Sequence, residues 1–126
     1  MAKNGILSEG EWKLMTALWN GAPKTVSQLV SELLDETGWS KGTVFMMLSR
    51  LCEKGAVRFE EGRCKQYFPV LQRANAAKQE TASFLSRVYG GSLRLMVSSM
   101  ADNAALTRKD IDELYDILRQ AEKNAE

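Results

Sequence analysis

The stretch of residues 40–70 constrains the fold more than any other part of the chain, because its apolar period changes at one glycine. Before Gly55, apolar residues recur at the spacing of one helix face, and they follow Ser40, a favourable N-cap residue. After Gly55, apolar and polar residues alternate as they do in a β-strand. A turn at residues 61–63 then leads into a second strand, which Pro69 ends. The segment therefore predicts a helix followed at once by a β-hairpin.

Two amphipathic helices are predicted before this segment. Ser8 and Glu11 form a capping box at the start of the first helix. Thr25 and Gln28 form a second box, and the helix after it is expected to stop near Gly38. Three short helices and a hairpin within about 70 residues can share one small core. The sequence thus predicts a mainly α fold with a small β-hairpin wing, which is a winged helix-turn-helix.

The third helix and the hairpin have the layout of a winged helix that reads DNA. The outer face of the helix is not acidic, and Arg63 and Lys65 place two cations at the hairpin tip. In such a fold the helix enters the major groove and the wing lies on phosphate. The net charge of +1 divides unevenly, with +6 on residues 40–101, −2 on residues 1–39 and −3 on residues 102–126. The predicted DNA contacts are Lys41, Thr43, Phe45, Met46, Ser49, Arg50, Arg63 and Lys65.

Phe45 and Met46 are an unusual pair for the outer face of a helix. In a DNA groove they would contact thymine methyl groups. One alternative is that Met46 turns inward and belongs to the core. Another is that the winged helix is a protein–protein interaction module without sequence-specific DNA binding, in which the pair docks an apolar partner. Salt separates these functions, because phosphate contacts weaken steeply with ionic strength and apolar contacts hardly change.

Residues 72–126 form a second predicted domain, after a DNA-binding domain of residues 1–71. Gly90 and Gly91 separate the first two of its three helical stripes, and Thr107 is the N-cap residue of the last helix. Short helices with one apolar stripe each either fold back on the winged helix or pack against a second copy. We expect a two-fold dimer, because linking two DNA readers multiplies affinity through effective concentration. The residues predicted for the dimer interface are Phe84, Leu85, Val88, Leu93, Met96, Val97, Met100, Ile111, Leu114 and Leu118.

The residue types present disfavour several kinds of chemistry. The chain has no histidine, so the commonest general base and metal ligand is missing, and we expect no catalysis, metal site or cofactor. Cys52 is expected in the core and Cys64 half exposed, both reduced, with a redox switch through the pair left open. No apolar run approaches the ~20 residues of a membrane helix and no secretory signal opens the chain. We therefore expect no membrane insertion and a cytoplasmic location.

Three segments carry a resemblance to a known family: LSEGEWKLMTALW from Leu7, WSKGTVFMMLSRLCEKGAVRFEEGRCKQYFPV from Trp39, and YGGSLRLMV followed by LTRKDIDELYDILRQ. In this order they resemble the penicillinase-repressor (BlaI/MecI) family of winged-helix transcriptional repressors. The resemblance implies a homodimeric bacterial repressor, similar to regulators of antibiotic resistance, that binds an inverted-repeat operator in double-stranded DNA. The tail lacks the cysteine cluster of the copper-responsive (CopY-type) relatives. Many relatives have a small hydroxyl residue in place of Met46, so the family's operator sequence is not carried over.

The resemblance also implies how repression ends. Relatives in antibiotic resistance are inactivated by cleavage in the tail after a membrane sensor detects a β-lactam, so a sensor and protease system is an implied, indirect partner. Counting back from the segment that starts at Leu106, the corresponding bond lies between Ser99 and Met100. The asparagine–phenylalanine pair of the best-known members is absent there. Cleavage at this bond is a hypothesis.

Overall fold

A computed structural model describes residues 6–103 and 106–125. Within these residues the fold is mainly helical with one two-stranded antiparallel sheet, which confirms the predicted class. None of the described helices is both long and apolar enough to cross a membrane. In chain order the elements are α1 (Glu9–Asn20), α2 (Val26–Glu32), α3 (Leu34–Thr37), α4 (Lys41–Glu53), β1 (Val57–Glu60), β2 (Gln66–Pro69), α5 (Arg73–Tyr89), α6 (Leu93–Asp102) and α7 (Arg108–Asn124).

The winged helix is built around one apolar core. Leu14 and Leu18 of α1 lie fully buried at the centre, together with Leu29 of α2 and Leu48 of α4. Tyr67 of β2 closes the core on the side of the hairpin. Each helix contributes one stripe at helical spacing, so the three stripes meet at a single point. The remaining core residues are Leu7, Met15, Ala17, Leu33, Val44, Leu51, Ala56, Val57 and Ala76.

Helix α4 begins and ends where the sequence predicts. The Ser40 hydroxyl accepts a hydrogen bond from the backbone N–H of Thr43 at 3.2 Å, which makes Ser40 the N-cap. At the other end Lys54 is the C-cap, and Gly55 has a φ of +81°. A side chain is strained in that left-handed conformation, so glycine suits the position. The chain enters β1 directly afterwards, and this places the hairpin beside the end of α4.

The second predicted helix is in fact two helices. α2 ends at Glu32 and α3 begins at Leu34, because the backbone bends at Leu33 with φ −100° and ψ 6°. Leu33 is buried in the core, and the hydroxyl of Thr37 donates to its carbonyl at 2.9 Å. α3 then ends at the predicted Gly38, which has a φ of +66°. The spacing of the apolar residues does not indicate this bend, because the buried face continues through it with the same period.

The hairpin, which forms the wing, pairs with one further residue that the sequence did not predict. β1 and β2 pair in an antiparallel register that sets Val57 opposite Pro69. Lys24, in the loop between α1 and α2, exchanges two backbone hydrogen bonds with Tyr67, at 3.2 and 2.9 Å. A single bridging residue has no periodicity, so nothing in the sequence marks it. It fastens the base of the wing to the loop.

One buried carboxylate, that of Glu11, joins the start of α1 to the end of α4. Its Oε1 accepts hydrogen bonds from the Ser8 N–H at 2.9 Å, which closes the predicted capping box, and from the Lys54 ammonium at 2.5 Å. Lys54 also donates to the carbonyl of Ile6 at 3.1 Å. Burial disfavours the charged carboxylate, but the hydrogen bonds from Lys54 and Ser8 outweigh it and hold the pKa of Glu11 below its ordinary value of 4.5.

The chain divides into two compact units, Met1–Ser83 and Phe84–Glu126. In the second unit α5 ends before Gly90 and Gly91, which have φ values of 59° and 85°. The predicted cap at Thr107 is confirmed, and it starts α7 with a capping box. The boundary predicted between positions 71 and 72 is a statement about which residues fold as a separate domain. It stays a prediction. The outermost residues of both predicted domains lie outside the described residues.

Replacing Lys54 by methionine should destabilise the winged helix, because it leaves the buried Glu11 carboxylate without its cation. Removing one partner of a fully buried pair costs about 3–5 kcal/mol. Water reaches Lys54, whose side chain is 26% exposed, so we expect a loss of about 2–3 kcal/mol in the free energy of unfolding. Urea unfolding at neutral pH and fixed protein concentration measures it.

The pH dependence separates this loss from a loss of packing. Because the folded pKa of Glu11 lies below its unfolded value of 4.5, the pair contributes its full stability above pH 4.5 and loses it as the pH falls through the folded pKa. The difference between wild type and Lys54→Met should therefore shrink in acid. A difference that stays constant where Glu11 is protonated contradicts the assignment. Lys13→Met, which cuts an exposed pair with Glu36, is the control and should change stability much less.

Candidate nucleic-acid interface

The outer face of α4 carries the side chains that the sequence predicts to meet DNA. Lys41, Ser49 and Arg50 are exposed, and Phe45 and Met46 have 47% and 54% of their surface accessible. The alternative in which Met46 belongs to the core is therefore wrong. Exposed apolar side chains beside exposed cations form a surface suited to a groove that has both phosphates and methyl groups.

Met47, and not its neighbour Met46, is the methionine of α4 that faces inward. It is half-buried and lies against Gly10 of α1, where an added Cβ would come within 2.7 Å of the methionine Cε and 3.3 Å of the Trp39 ring. A side chain at position 10 would thus have to displace Met47 from between the two helices. This contact keeps α4 close to α1, with the predicted reading face turned away from the core.

Two of the predicted base contacts lie in the first turn of α4, and they differ in how exposed their side chains are. Thr43 is half-buried, and its Oγ1 accepts a hydrogen bond from the Ser40 hydroxyl at 3.2 Å. Its hydroxyl is therefore engaged with the cap. Lys41 is exposed, and in the part of the chain that the structure describes no carboxylate forms a salt bridge with it. Lys41 is the more accessible donor of this turn.

Lys65 connects the wing to α4. Its ammonium lies 4.3 Å from the centroid of the Phe59 ring on β1 and 5.7 Å from the centroid of the Phe45 ring on α4. The Phe59 ring also lies 5.9 Å from that of Tyr67, across the hairpin. Cation–π contacts at such sites contribute about 0.5–1 kcal/mol each. They hold one positive charge at the junction between the wing and the outer face of α4.

The wing tip is positively charged at Arg63 but is not uniformly basic. Arg63 is exposed, and no salt bridge to it occurs among the described residues. Arg58, by contrast, pairs with Glu60 at 2.8 Å and stacks 4.1 Å from the centroid of the Phe68 ring. Glu61 lines the same shallow groove as Arg63. Arg63 is therefore the wing cation best placed for phosphate.

The two cysteines differ in environment. Cys52, which was predicted in the core, packs half-buried against it, and Cys64, which was predicted half exposed, is exposed on the wing. Burial raises the pKa of the Cys52 thiol above its ordinary 9.0, although the Lys65 ammonium opposes the shift. A raised pKa leaves little thiolate at neutral pH, which makes this thiol a poor nucleophile and metal ligand. Across residues 6–103 and 106–125, no three side chains of the metal-ligating types lie together.

A second surface lies within the unit that starts at Phe84. It is an apolar groove of about 540 Å³ between α6 and α7, with Asp110 and Glu113 among its lining residues. Sequence reasoning missed Ile117, which is 61% exposed, although its spacing of three from Leu114 could have revealed it. The apolar lining consists of Leu93, Met96, Val97, Met100, Leu106, Leu114 and Ile117, five of them predicted for the dimer interface.

The protein is a winged-helix protein, since a three-helix core, an outward basic helix and a hairpin anchored at its end define that class. The family model described as penicillinase repressor matches residues 7–120. The chain belongs to the penicillinase repressor family, as the resemblance of its motifs predicts.

Relatives and solved structures agree with this membership. The penicillinase repressor of Bacillus licheniformis is 33% identical over 121 residues, which cover 95% of this chain and 94% of the relative. The methicillin resistance regulatory protein MecI of Staphylococcus aureus is 24% identical over 115 residues, or 90% and 94% of the two chains. The solution structure of the DNA-binding domain of the repressor BlaI is similar at a TM-score of 0.53 and 30% identity, covering 60% of this chain and 93% of that one. That of monomeric Bacillus licheniformis BlaI with the blaP half-operator has a TM-score of 0.50, at the same identity and coverage.

Proposed function

We propose that this protein is a homodimeric transcriptional repressor that binds an inverted-repeat operator through its winged helix. The observation that carries the proposal is the outer face of α4, where exposed cations stand beside an exposed apolar pair and next to an anchored wing. The relative from Bacillus licheniformis is named a repressor, and the similar BlaI structure contains a half-operator. Such a role places the protein in the cytoplasm, requires no cofactor and includes no catalytic step.

The side chains of this surface divide between reading bases and holding phosphate. Lys41 in the first turn of α4 presents donors to base edges, and Phe45 and Met46 present apolar surface to thymine methyl groups. Arg50 near the other end of α4 and Arg63 on the wing are placed for the phosphate backbone. Ser49, exposed between these groups, adds a hydroxyl that can reach either.

Lys65 has a positioning role in addition to its charge. Its ammonium is held over the rings of Phe45 and Phe59, so it fixes the angle at which the wing leaves α4. A phosphate that approaches this junction meets a charge that is already in place. Preorganised charge loses less side-chain entropy on binding than a free lysine would.

We infer that a second copy covers the apolar faces of α6 and α7. Leu93, Leu118 and Val97 have 57%, 60% and 42% of their surface exposed within one chain. Burying a fully exposed side chain of this kind stabilises by about 1.5–3 kcal/mol, so covering the exposed half of each contributes roughly half of that. A two-fold interface uses every residue twice, so a few of them suffice for a stable dimer.

Dimerisation determines the form of the operator. Two winged helices related by a two-fold axis require two half-sites in inverted orientation, one or more helical turns apart. Once one half-site is bound, the second binds at a high effective concentration, and the affinity for the whole operator far exceeds that for a half-site. Loss of the dimer therefore releases the operator.

Release by proteolysis would act on this dimer. The bond between Ser99 and Met100 lies in the last turn of α6, which ends at Asp102, and Met100 lines the apolar groove. A protease acts on extended chain, so the end of the helix must open first, and helix ends open most readily. A cut at this bond would separate α6 from α7. We propose that a sensor and protease system ends repression in this way.

Replacing Arg63 by alanine should weaken binding to every duplex, because one phosphate contact is lost. The slope of log K against log salt should fall by about 0.9, the value for one phosphate on B-DNA. Replacing Lys41 by alanine should instead reduce the preference for operator over scrambled DNA by about 1–3 kcal/mol. Fluorescence anisotropy on the inverted repeat upstream of the protein's own gene, and on a scrambled copy, measures both.

Arg108→Ala is the matched control, since it removes the same charge from α7, outside the winged helix, and should leave the salt slope unchanged. Equal behaviour of the Arg63 and Lys41 variants contradicts the division between phosphate and base contacts. Wild-type binding that is weak, equal on both duplexes and insensitive to salt contradicts the repressor and favours a protein-binding module.

Replacing Leu118 by glutamate should convert the dimer into monomers, because it places a charge in the apolar interface of both copies. Gln120→Glu adds the same charge to an exposed position of α7 and is the control. Sedimentation velocity should show monomers for the first variant and dimers for the second. Half-site binding should be equal in both. A Leu118→Glu variant that stays dimeric contradicts this interface.

Cleavage should appear as two fragments, of which the first ends at residue 99 and the second begins at residue 100. Mass spectrometry of the protein from induced cells, taken while the target gene is on, measures it. Only intact chain in fully induced cells would remove cleavage from the mechanism and leave the dimer unaffected.

A further inference from the structure

The base of α5 is fastened to the C-terminal end of α1. The indole N–H of Trp19 donates to the carbonyl of Leu71 at 2.8 Å. The guanidinium of Arg73 stacks 5.2 Å from the centroid of the Trp19 ring and donates to the side-chain oxygen of Asn20 at 3.1 Å. We call these contacts the latch. None of the predicted reading residues takes part in them.

The segment before and after the latch is also held. The backbone N–H groups of Val70 and Leu71 both donate to the carbonyl of Ala56, at 2.8 and 3.0 Å. One turn into α5, Ala76 is 2% exposed and belongs to the core. From Ala77 to Ser83 every side chain is at least partly exposed. Residues 70–76 are thus the part of this connection that the winged helix holds.

The Trp19 ring is itself fixed in place. The Trp12 ring meets it edge to face, with centroids 5.5 Å apart and an interplanar angle of 67°. Both tryptophans pack half-buried against the core. A part-buried hydrogen bond from a ring that also contacts Trp12 and Arg73 has less freedom to break than one from an exposed ring.

We propose that Trp19 and Arg73 are positioning residues that make the protein sensitive to the spacing of operator half-sites. This inference rests on the proposed dimeric repressor. Effective concentration at the second half-site depends on the length and stiffness of the chain that links the two readers. With the latch closed, residues 70–76 belong to the winged helix. With the latch open they lengthen the link and allow the readers to reach other separations.

The experiment compares full-length variants on duplexes that differ only in spacing. The duplexes are a single half-site, the inverted repeat upstream of the gene, and the same repeat with two base pairs inserted at its centre. Arg73→Ala opens the latch from the exposed side, and Lys78→Ala removes the same charge further along α5. Trp19→Phe removes the indole donor that bonds the Leu71 carbonyl.

Wild type and the Lys78→Ala control should bind the lengthened repeat at least about tenfold more weakly than the native one, since the linked readers no longer match it. The two latch variants should bind the half-site within about twofold of wild type, bind the native repeat about 3–10-fold more weakly, and lose most of the penalty for the insertion. Hydrogen exchange at residues 71–76 should accelerate in them.

Two results overturn the latch. A spacing penalty that is unchanged in Arg73→Ala shows that the latch does not set the link. If the affinity for the single half-site falls together with the affinity for the repeat, these residues act on the reading surface itself. If Trp19→Phe is unfolded, Arg73→Ala and its control decide alone. Wild type that binds no inverted repeat overturns the proposed function and the latch together.

Discussion

The ion pair between Glu11 and Lys54 is the contact on which the geometry of the winged helix depends. It connects the first turn of α1 to the C-cap residue of α4, and Glu11 also caps its own helix. A buried carboxylate is costly unless it is paired and hydrogen-bonded, so few other arrangements of α1 and α4 satisfy it. This polar contact fixes the end of α4 beside the start of α1, while apolar packing positions the rest of the helix. The wing follows α4 within a few residues and takes its place from it.

The candidate reading surface is assembled from three parts of the chain. α4 supplies its exposed cations and the apolar pair, the hairpin supplies Arg63, and the loop at Lys24 closes the sheet behind it. Lys65 ties the first two parts together through the rings of Phe45 and Phe59. Rigidity between helix and wing matters for a DNA reader, because phosphate contacts on the wing set the register of base contacts on the helix.

The second unit has the opposite character. α6 and α7 carry large apolar side chains that one copy of the chain leaves exposed, and their groove is lined almost wholly by such groups. Within the winged helix most large apolar side chains pack into the core, and the exposed ones include the pair on the outer face of α4. A chain that buries one set of stripes and exposes another has a use for the exposed set outside itself. The proposed dimer supplies that use, and the latch at the base of α5 would then set the link between reading and dimerisation.

Local patterns in the sequence determined the helices, their caps at Ser8, Thr25, Ser40 and Thr107, the hairpin, and the outward direction of Phe45. Each depends on residues within one or two turns of one another, so spacing and capping chemistry are enough. The tertiary structure alone decided the pairing of Glu11 with Lys54, the strand position of Lys24, the bend at Leu33 and the contact of Trp19 with Arg73. These features join residues far apart in the chain or leave the apolar period unchanged. No local pattern records them, because they arise only when separate elements pack around a common core.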